Sequence, residues 1–179
     1  MQYYTWLIDE YGFMVIHVKN GYMGSCSFTL QSGDCRLFMS VEREQLDFPQ
    51  LALAPAAARL DACASGLRWY HLGDILDYLR GEYPSWSQIE ERSQLLKSLS
   101  ADEIRTRSAA ECRALWSRIM TLFQKEEFKR RQGELEDFLR EKNENQERQR
   151  KELVIRREAE WLPKWREEQQ QAKNHSNQD

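Results

Sequence analysis

The distribution of helix breakers is the feature that most constrains how this chain can fold. No proline occurs between Pro84 and Pro163, and Gly133 is the only glycine after Gly81. Proline removes a helical hydrogen bond and glycine weakens a helix, so a long stretch nearly free of both favours continuous helix. We therefore expect one helix over residues 101–162, on the order of 90 Å long at about 1.5 Å per residue. A kink or fold-back at Gly133 is the alternative.

The C-terminal part of this helix is dense in charge but neutral. Residues 125–179 contain 14 basic and 14 acidic residues, and glutamates repeatedly precede an arginine or lysine by four positions. That orientation stabilises a solvent-exposed helix. No apolar residue occurs from Arg140 to Glu152, whereas a coiled-coil seam needs one every three or four positions. The pattern predicts a charged helical arm without a continuous coiled coil.

The first 42 residues have the composition of an antiparallel sheet. Segments 3–8, 13–18, 22–30 and 35–42 are rich in β-branched and aromatic residues, and turn-forming residues separate them. Alternation of this kind between turns is typical of half-buried strands. The segments therefore predict a four-stranded β-meander.

The turns of this meander set its register. A two-residue loop at 32–33 pairs Leu30 with Cys35 and places the apolar residues of both strands on one face. A similar loop at 20–21 places His17 on the same core face. Several large apolar residues remain on the opposite face, so we expect something to cover that face as well.

Helical periodicity replaces strand alternation in the remainder of the first 124 residues. Residues 51–64 are rich in alanine and leucine and predict a helix, and residues 71–81 predict a second helix that ends at Gly81. Two capping boxes predict the starts of the next helices. They are Ser87 with Glu90, and Ser100 with Glu103.

These elements define the predicted architecture. The fold class is α+β, a four-stranded antiparallel β-meander packed with helices and followed by a long charged C-terminal helical arm. The predicted domains are a globular head at 1–124, the arm with an apolar tip at 125–168, and a disordered tail at 169–179.

Charge and composition narrow the classes of partner and compartment. The net charge is −3, without the one-sign field that a nucleic-acid or anionic-membrane binder uses to gather its partner. We find no secretory signal and no apolar run long enough to span a membrane. The four cysteines form no CxxC motif, so we expect reduced thiols in a cytoplasmic protein and no metal or cofactor.

Residues that could do covalent or acid–base chemistry are few. His17 with Cys26 or Cys35 is one conceivable dyad on the predicted sheet, but both cysteines have the pattern of buried apolar residues rather than exposed thiolates. No phosphate-loop, dinucleotide, zinc-protease or nucleophile-elbow motif occurs. We therefore predict that the protein is not an enzyme, and a small enzyme with a site on the sheet is the second alternative function.

A nucleic-acid-associated regulator is the first alternative function. Two predicted helices over 72–99 loosely resemble a helix-turn-helix, and Arg105, Arg107, Arg113 and Arg118 follow them. The second of those helices mixes acidic and basic residues, whereas base-reading helices present a basic, amide-rich face. The composition therefore argues against nucleic acid as the partner.

The apolar tip of the arm indicates a third class of function. Val154, Trp161, Leu162 and Trp165 interrupt a charged tract, and Pro163 should bend or restart the helix between the tryptophans. Tryptophans in a charged surround are typical of binding hot spots.

Two hypotheses explain the tip. The arm doubles back and lays the tip on the second face of the sheet, against Leu7, Ile16 and Phe38 of the same or a second copy, or the tip docks on a foreign protein. Both make the chain a non-enzymatic interaction factor, such as an adaptor, inhibitor or assembly factor. Its partner is then another protein or a second copy, with no membrane involved.

Overall fold

The computed structural model describes residues 2–20, 26–41, 50–58 and 69–175. A 3₁₀ turn at Gln2–Tyr4 leads into helix α1, and five strands then precede four more helices. The strands are β1 (Met14–Asn20), β2 (Cys26–Gln31), β3 (Cys35–Val41), β4 (Gln50–Pro55) and β5 (Tyr70–His71). The helices are α1 (Thr5–Tyr11), α2 (Leu72–Arg80), α3 (Trp86–Lys97), α4 (Ala101–Phe123) and α5 (Lys125–His175).

The strands form one antiparallel sheet in the order β1-β2-β3-β4-β5. This confirms the α+β class, the antiparallel meander and the long C-terminal helix. The described part of the chain has five strands rather than four. Residues 3–8, predicted to be a strand, are helical, and the helix predicted over 51–64 is replaced by strand β4. Residues 59–64 of that predicted helix lie outside the described ranges.

Helical spacing explains why the first predicted strand is wrong. Tyr4 and Leu7 are three positions apart and are both buried, with 6% and 0% of their surface exposed. Gly12 ends α1 in the left-handed conformation, with φ of 64°, which glycine adopts without steric cost. A short apolar run fits either a strand or a helix, and here only helix brings these two side chains to the core together.

The β2–β3 hairpin has the predicted faces but not the predicted register. Leu30 pairs with Leu37 instead of Cys35, because the two-residue loop is 33–34. The Ser32 amide donates to the Cys35 carbonyl at 2.9 Å, and the Ser32 hydroxyl accepts from the Cys35 amide at 3.2 Å. Moving the loop by one residue shifts the register by two, so each side chain stays on its predicted face.

The hydrophobic core lies between the sheet and the helices and has Trp116 of α4 near its centre. Trp116 is fully buried, and its ring meets Trp6 of α1 and Phe13 edge-on, with centroid distances of 5.3 and 5.8 Å. Strand β1 lies largely outside this core. All seven of its residues are exposed, including Val15 and Val18.

Helix capping is partly as predicted. Gly81 ends α2 in the left-handed conformation, and Ser100 with Glu103 forms the capping box of α4. The box predicted at Ser87 and Glu90 is wrong. Helix α3 begins two residues earlier, where the Ser85 hydroxyl accepts from the Gln88 amide at 3.3 Å and the Gln88 side chain accepts from the Ser85 amide at 2.8 Å.

The single helix predicted from 101 to 162 is wrong, because the chain breaks at Gln124. This residue has an extended ψ of 133° between α4 and α5, whereas Gly133 lies inside α5. Phe123 and Phe128 flank the break, are both buried, and stack with centroids 5.4 Å apart. Burial of both rings against the head requires the chain to change direction, and it offsets the helical hydrogen bonds lost.

Helix α5 is longer than predicted. It continues through Pro163 to His175, so the helix does not restart at Leu162 as expected. Residues 169–175 of the predicted tail are helical, and 176–179 lie outside the described ranges. The division into head, arm and tail stays a prediction, although the first third of α5 packs on the head.

Candidate partner-binding site

The first third of α5 is fastened to the head by a buried ion pair. Lys142 Nζ donates to Asp77 Oδ2 at 2.6 Å and to Asp74 Oδ1 at 2.8 Å, and the Lys142 and Asp77 side chains are only 8% and 9% exposed. Burial by itself lowers the pKa of Lys142, but the hydrogen bonds to the two aspartates outweigh it and raise the pKa above its ordinary value. The ammonium therefore stays charged and joins α5 to α2.

Helix α5 leaves the head beside the start of α3. Gln149 Oε1 accepts from the Trp86 amide at 2.7 Å, and the Arg150 guanidinium lies 5.8 Å from the Trp86 ring centroid. Arg157 forms an exposed ion pair with Glu90 at 3.1 Å. A cleft of about 670 Å³ separates the two helices here, and all residues from 158 to 166 are exposed.

The exposed part of α5 presents a set of apolar side chains that we call the outer stripe. At about 100° of rotation per residue, its members lie within an arc of about 120° around the helix. Ile155 was not among the predicted site residues, although it lies one heptad before Leu162 and so shares its side of the helix. The members and their exposed fractions are Val154 46%, Ile155 66%, Trp161 57%, Leu162 38% and Trp165 43%.

The outer stripe faces away from the head. Gln149, Leu153 and Arg157 all line the cleft against α3, and they mark the head-facing side of α5. By the same helical rotation, the middle of the outer stripe lies about 140° around the helix from the middle of this set. The stripe therefore faces away from the part of the head that the structure describes.

The two tryptophans of the stripe are already stacked on each other. Their ring centroids are 5.8 Å apart with an interplanar angle of 24°, although Pro163 lies between them in the sequence. Because α5 remains helical across Pro163, positions 161 and 165 share one side of the helix. Together they present one continuous aromatic surface to solvent.

The predicted counterpart of the tip on the sheet is not assembled. Leu7 is fully buried in α1, so its assignment to an outer sheet face is wrong. Ile16 is 39% exposed at a bulge of edge strand β1. Phe38 is half-buried on β3, with its ring centroid 6.1 Å from that of Trp69. These three residues do not form one surface, and the outer stripe faces away from them.

Basic residues border the outer stripe on both sides. By helical rotation Arg150, Arg157 and Lys164 follow one border, and Arg148 and Arg166 follow the other. Within the stripe, Glu158 is acidic, and Lys151 is paired with Glu147 at 3.4 Å. Basic residues thus lie along both edges of the stripe, and its middle combines apolar side chains with the carboxylate of Glu158.

The candidate dyad of the sheet does not form. Asn20 pairs with Cys26 and His17 with Thr29, so His17 and Cys26 point to opposite faces and lie about 10 Å apart along the strands. Burial raises the pKa of the Cys35 thiol to about 12, which keeps it protonated at neutral pH and makes it a poor nucleophile.

Two of the four arginines considered for nucleic-acid contact are engaged within the protein. Arg113 pairs with Glu10, and the Arg118 guanidinium donates to the Leu79 carbonyl. Arg107 lines a groove of about 300 Å³ between α3 and α4.

Neither a metal site nor a membrane-spanning helix occurs within the described ranges. No group of three or more His, Cys, Asp and Glu side chains there could hold a metal ion. No helix in those ranges is long and apolar enough to cross a membrane.

Comparison of the chain with protein-family models, with curated proteins and with solved structures finds no match.

Proposed function

We propose that this protein is a non-enzymatic interaction factor whose binding element is the end of α5. The observation that supports the proposal is the outer stripe. Five large apolar side chains, two of them stacked tryptophans, lie exposed on the side of α5 that faces away from the head. Isolated apolar residues are normal on a surface, but five large apolar side chains on one side of a helix, interrupted there only by Glu158, are typical of an interaction site.

The stripe has enough apolar surface to contribute substantially to binding. Complete burial of one large apolar side chain contributes about 1.5–3 kcal/mol, before the costs of association are subtracted. Tryptophan is among the residues most enriched in binding hot spots. Trp161 and Trp165 are therefore the proposed anchors, and Val154, Ile155 and Leu162 extend the surface they make.

Attachment of α5 to the head favours this role. The buried Lys142–Asp77 pair and the Gln149–Trp86 hydrogen bond hold the helix upstream of the stripe. A partner then meets a helix that is already formed and directed, so less conformational entropy is lost on binding. We further propose that the protein acts in the cytoplasm, which suits the free thiols of Cys26, Cys35 and Cys112.

Affinity capture with matched variants tests the proposal. The bait is the full chain, and the test variant is Trp161→Ser/Trp165→Ser, which alters exposed residues that the fold does not use. Val18→Ser is the control, because Val18 is 51% exposed but lies on β1. Proteins that bind the full chain and the control should be lost from the test variant. Equal capture by all three baits would contradict the proposed role of the stripe.

A further inference from the structure

We propose that the outer stripe docks into an apolar groove with an acidic rim on a different protein. This inference rests on the proposed function and adds the chemistry of the partner. An amphipathic helix that inserts into a groove is recognised by its apolar residues at the floor and by its flanking charges at the rim. The stripe supplies both in a defined geometry.

The basic borders of the stripe determine which charge we expect on the rim of the partner's groove. Lys164 lies on one border and Arg166 on the other, and both are exposed. Arg157, next to Lys164 on the same border, keeps 62% of its side chain exposed while it pairs with Glu90. A groove that accepts Trp161 and Trp165 places its two rims beside these cations. Acidic rims would attract them, whereas basic rims would repel them.

The same charges disfavour pairing with a second copy through the stripe. In an antiparallel pair that matches Val154 with Trp165 of the other copy, Arg157 lies across from Lys164. In a parallel pair, the border with Lys164 meets the border with Arg166. Both arrangements bring like charges together at the positions that decide helix pairing.

Self-association through the other exposed apolar surface is also disfavoured. Edge strand β1 has a bulge between Val15 and His17 and an exposed lysine at position 19. A bulge and an edge lysine are features that keep sheet edges from pairing with another copy. The geometry thus favours a monomer that presents its stripe to a foreign groove.

Carbodiimide cross-linking of the full chain in a lysate of its source cells tests directly whether acidic residues line the rim of the partner's groove. The reagent joins a lysine amine to a carboxylate in contact with it, so Lys164 reports the groups beside the stripe. We expect Lys164 to be joined to an aspartate or glutamate of a different protein. That cross-link should disappear with Trp161→Ser/Trp165→Ser. Cross-links from Lys164 only to a second copy of this chain would overturn the proposal.

Charge variants separate this inference from the function on which it rests. Lys164→Glu/Arg166→Glu reverses one charge on each border without touching the head, and Lys164→Arg/Arg166→Lys is the matched control. We expect the reversed variant to retain its fold but to capture the Trp-dependent partner about tenfold less well, while the control binds normally. Capture that depends on the tryptophans but not on these charges would overturn the acidic rim and leave the function standing.

Two further outcomes would identify another occupant. Sedimentation of the full chain should show a monomer, and a dimer abolished by Trp161→Ser/Trp165→Ser would assign the stripe to a second copy. Vesicles of phosphatidylcholine and phosphatidylserine should not bind the protein at physiological salt. Trp-dependent binding to these vesicles would assign the stripe to an anionic membrane instead. Either result overturns the proposal.

Discussion

Lys142 of α5 donates a 2.6 Å hydrogen bond to Asp77 of α2, and the two side chains are almost fully buried. The two residues are 65 positions apart in sequence, so the pair links the long helix to the head. Asp74 and, at 3.9 Å, Arg92 complete the charge cluster. Together with the buried apolar residues of the same segment, such as Leu135 and Phe138, this contact fastens the upstream part of α5 to the head.

Lys142→Met should destabilise the fold. The variant leaves the Asp77 carboxylate buried without its ammonium partner, and removal of one member of a buried pair costs about 3–5 kcal/mol. Urea unfolding followed by circular dichroism should show that the free energy of unfolding falls by about 3 kcal/mol, the lower end of this range, because Arg92 remains close to Asp77. Lys129→Met is the control, because it removes only an exposed pair with Glu126. A Lys142→Met variant as stable as the control would show that the cluster does not hold α5.

The buried thiol of Cys112 should make stability fall at alkaline pH. Burial raises the pKa of Cys112 to about 12, whereas the unfolded thiol titrates near its ordinary value of about 8.5. Between these values the folded state binds more protons than the unfolded state, so the free energy of unfolding decreases as pH rises. Below about pH 8.5 the stabilising contribution of the protonated Cys112 thiol is fully present.

Comparison with Cys112→Ala isolates the contribution of this thiol to the pH dependence of stability. Each thiol with a raised pKa contributes a slope of at most about 1.4 kcal/mol per pH unit. Urea unfolding at several values from pH 8 to 10.5 should show a shallower decline for Cys112→Ala than for the natural chain, whatever the starting stability of the variant. Parallel declines would contradict the burial of this thiol.

Gly133→Ala should stabilise the protein. Gly133 lies inside α5 with a helical φ, and a Cβ added there meets no atom within 4 Å. Alanine in a helix interior is favoured over glycine by about 0.5–1 kcal/mol. Gly81→Ala is the contrasting variant, because Gly81 has a φ of +71° and alanine is strained there. Thermal unfolding should move the two midpoints in opposite directions. Destabilisation by Gly133→Ala would indicate that position 133 is a hinge after all.

Pro163→Ala should strengthen the tip without changing global stability. Proline within a helix removes one backbone hydrogen bond and crowds the preceding turn. The residues around Pro163 are exposed, so they add little to the cooperative core. Amide hydrogen exchange of residues 153–166 should become slower in the variant, while the urea midpoint stays within error. A shifted midpoint would mean that the tip is part of the core.

Sequence periodicity predicts much of this fold because burial follows side-chain faces. The β2 and β3 residues lie on their predicted faces even though the register is off by two, since a shift of two preserves alternation. The loop at 33–34 is closed by a hydrogen bond in which the Ser32 hydroxyl accepts from the Cys35 amide. Such a local hydrogen bond is difficult to infer from apolar patterning alone.

The break between α4 and α5 shows where sequence reasoning from helix breakers is insufficient. Gly133 is the only helix-breaking residue between Pro84 and Pro163, yet the chain turns at Gln124. The turn is favoured by tertiary burial of Phe123 and Phe128 on the head, and such contacts between distant segments are not visible in the local pattern. For the same reason, the sequence indicated the tryptophans of the tip but not the side of α5 that faces the head.

Hydrogen exchange of α5 in the free chain and in its complex with the captured partner tests directly whether the outer stripe is the binding surface. In the free monomer, residues 153–166 should exchange faster than residues 128–142, which pack on the head. In the complex, strong additional protection should appear over 153–166, with little change in β1 or in the α3–α4 groove. Unchanged exchange at 153–166 together with new protection at β1 or at that groove would show that the partner does not bind the outer stripe.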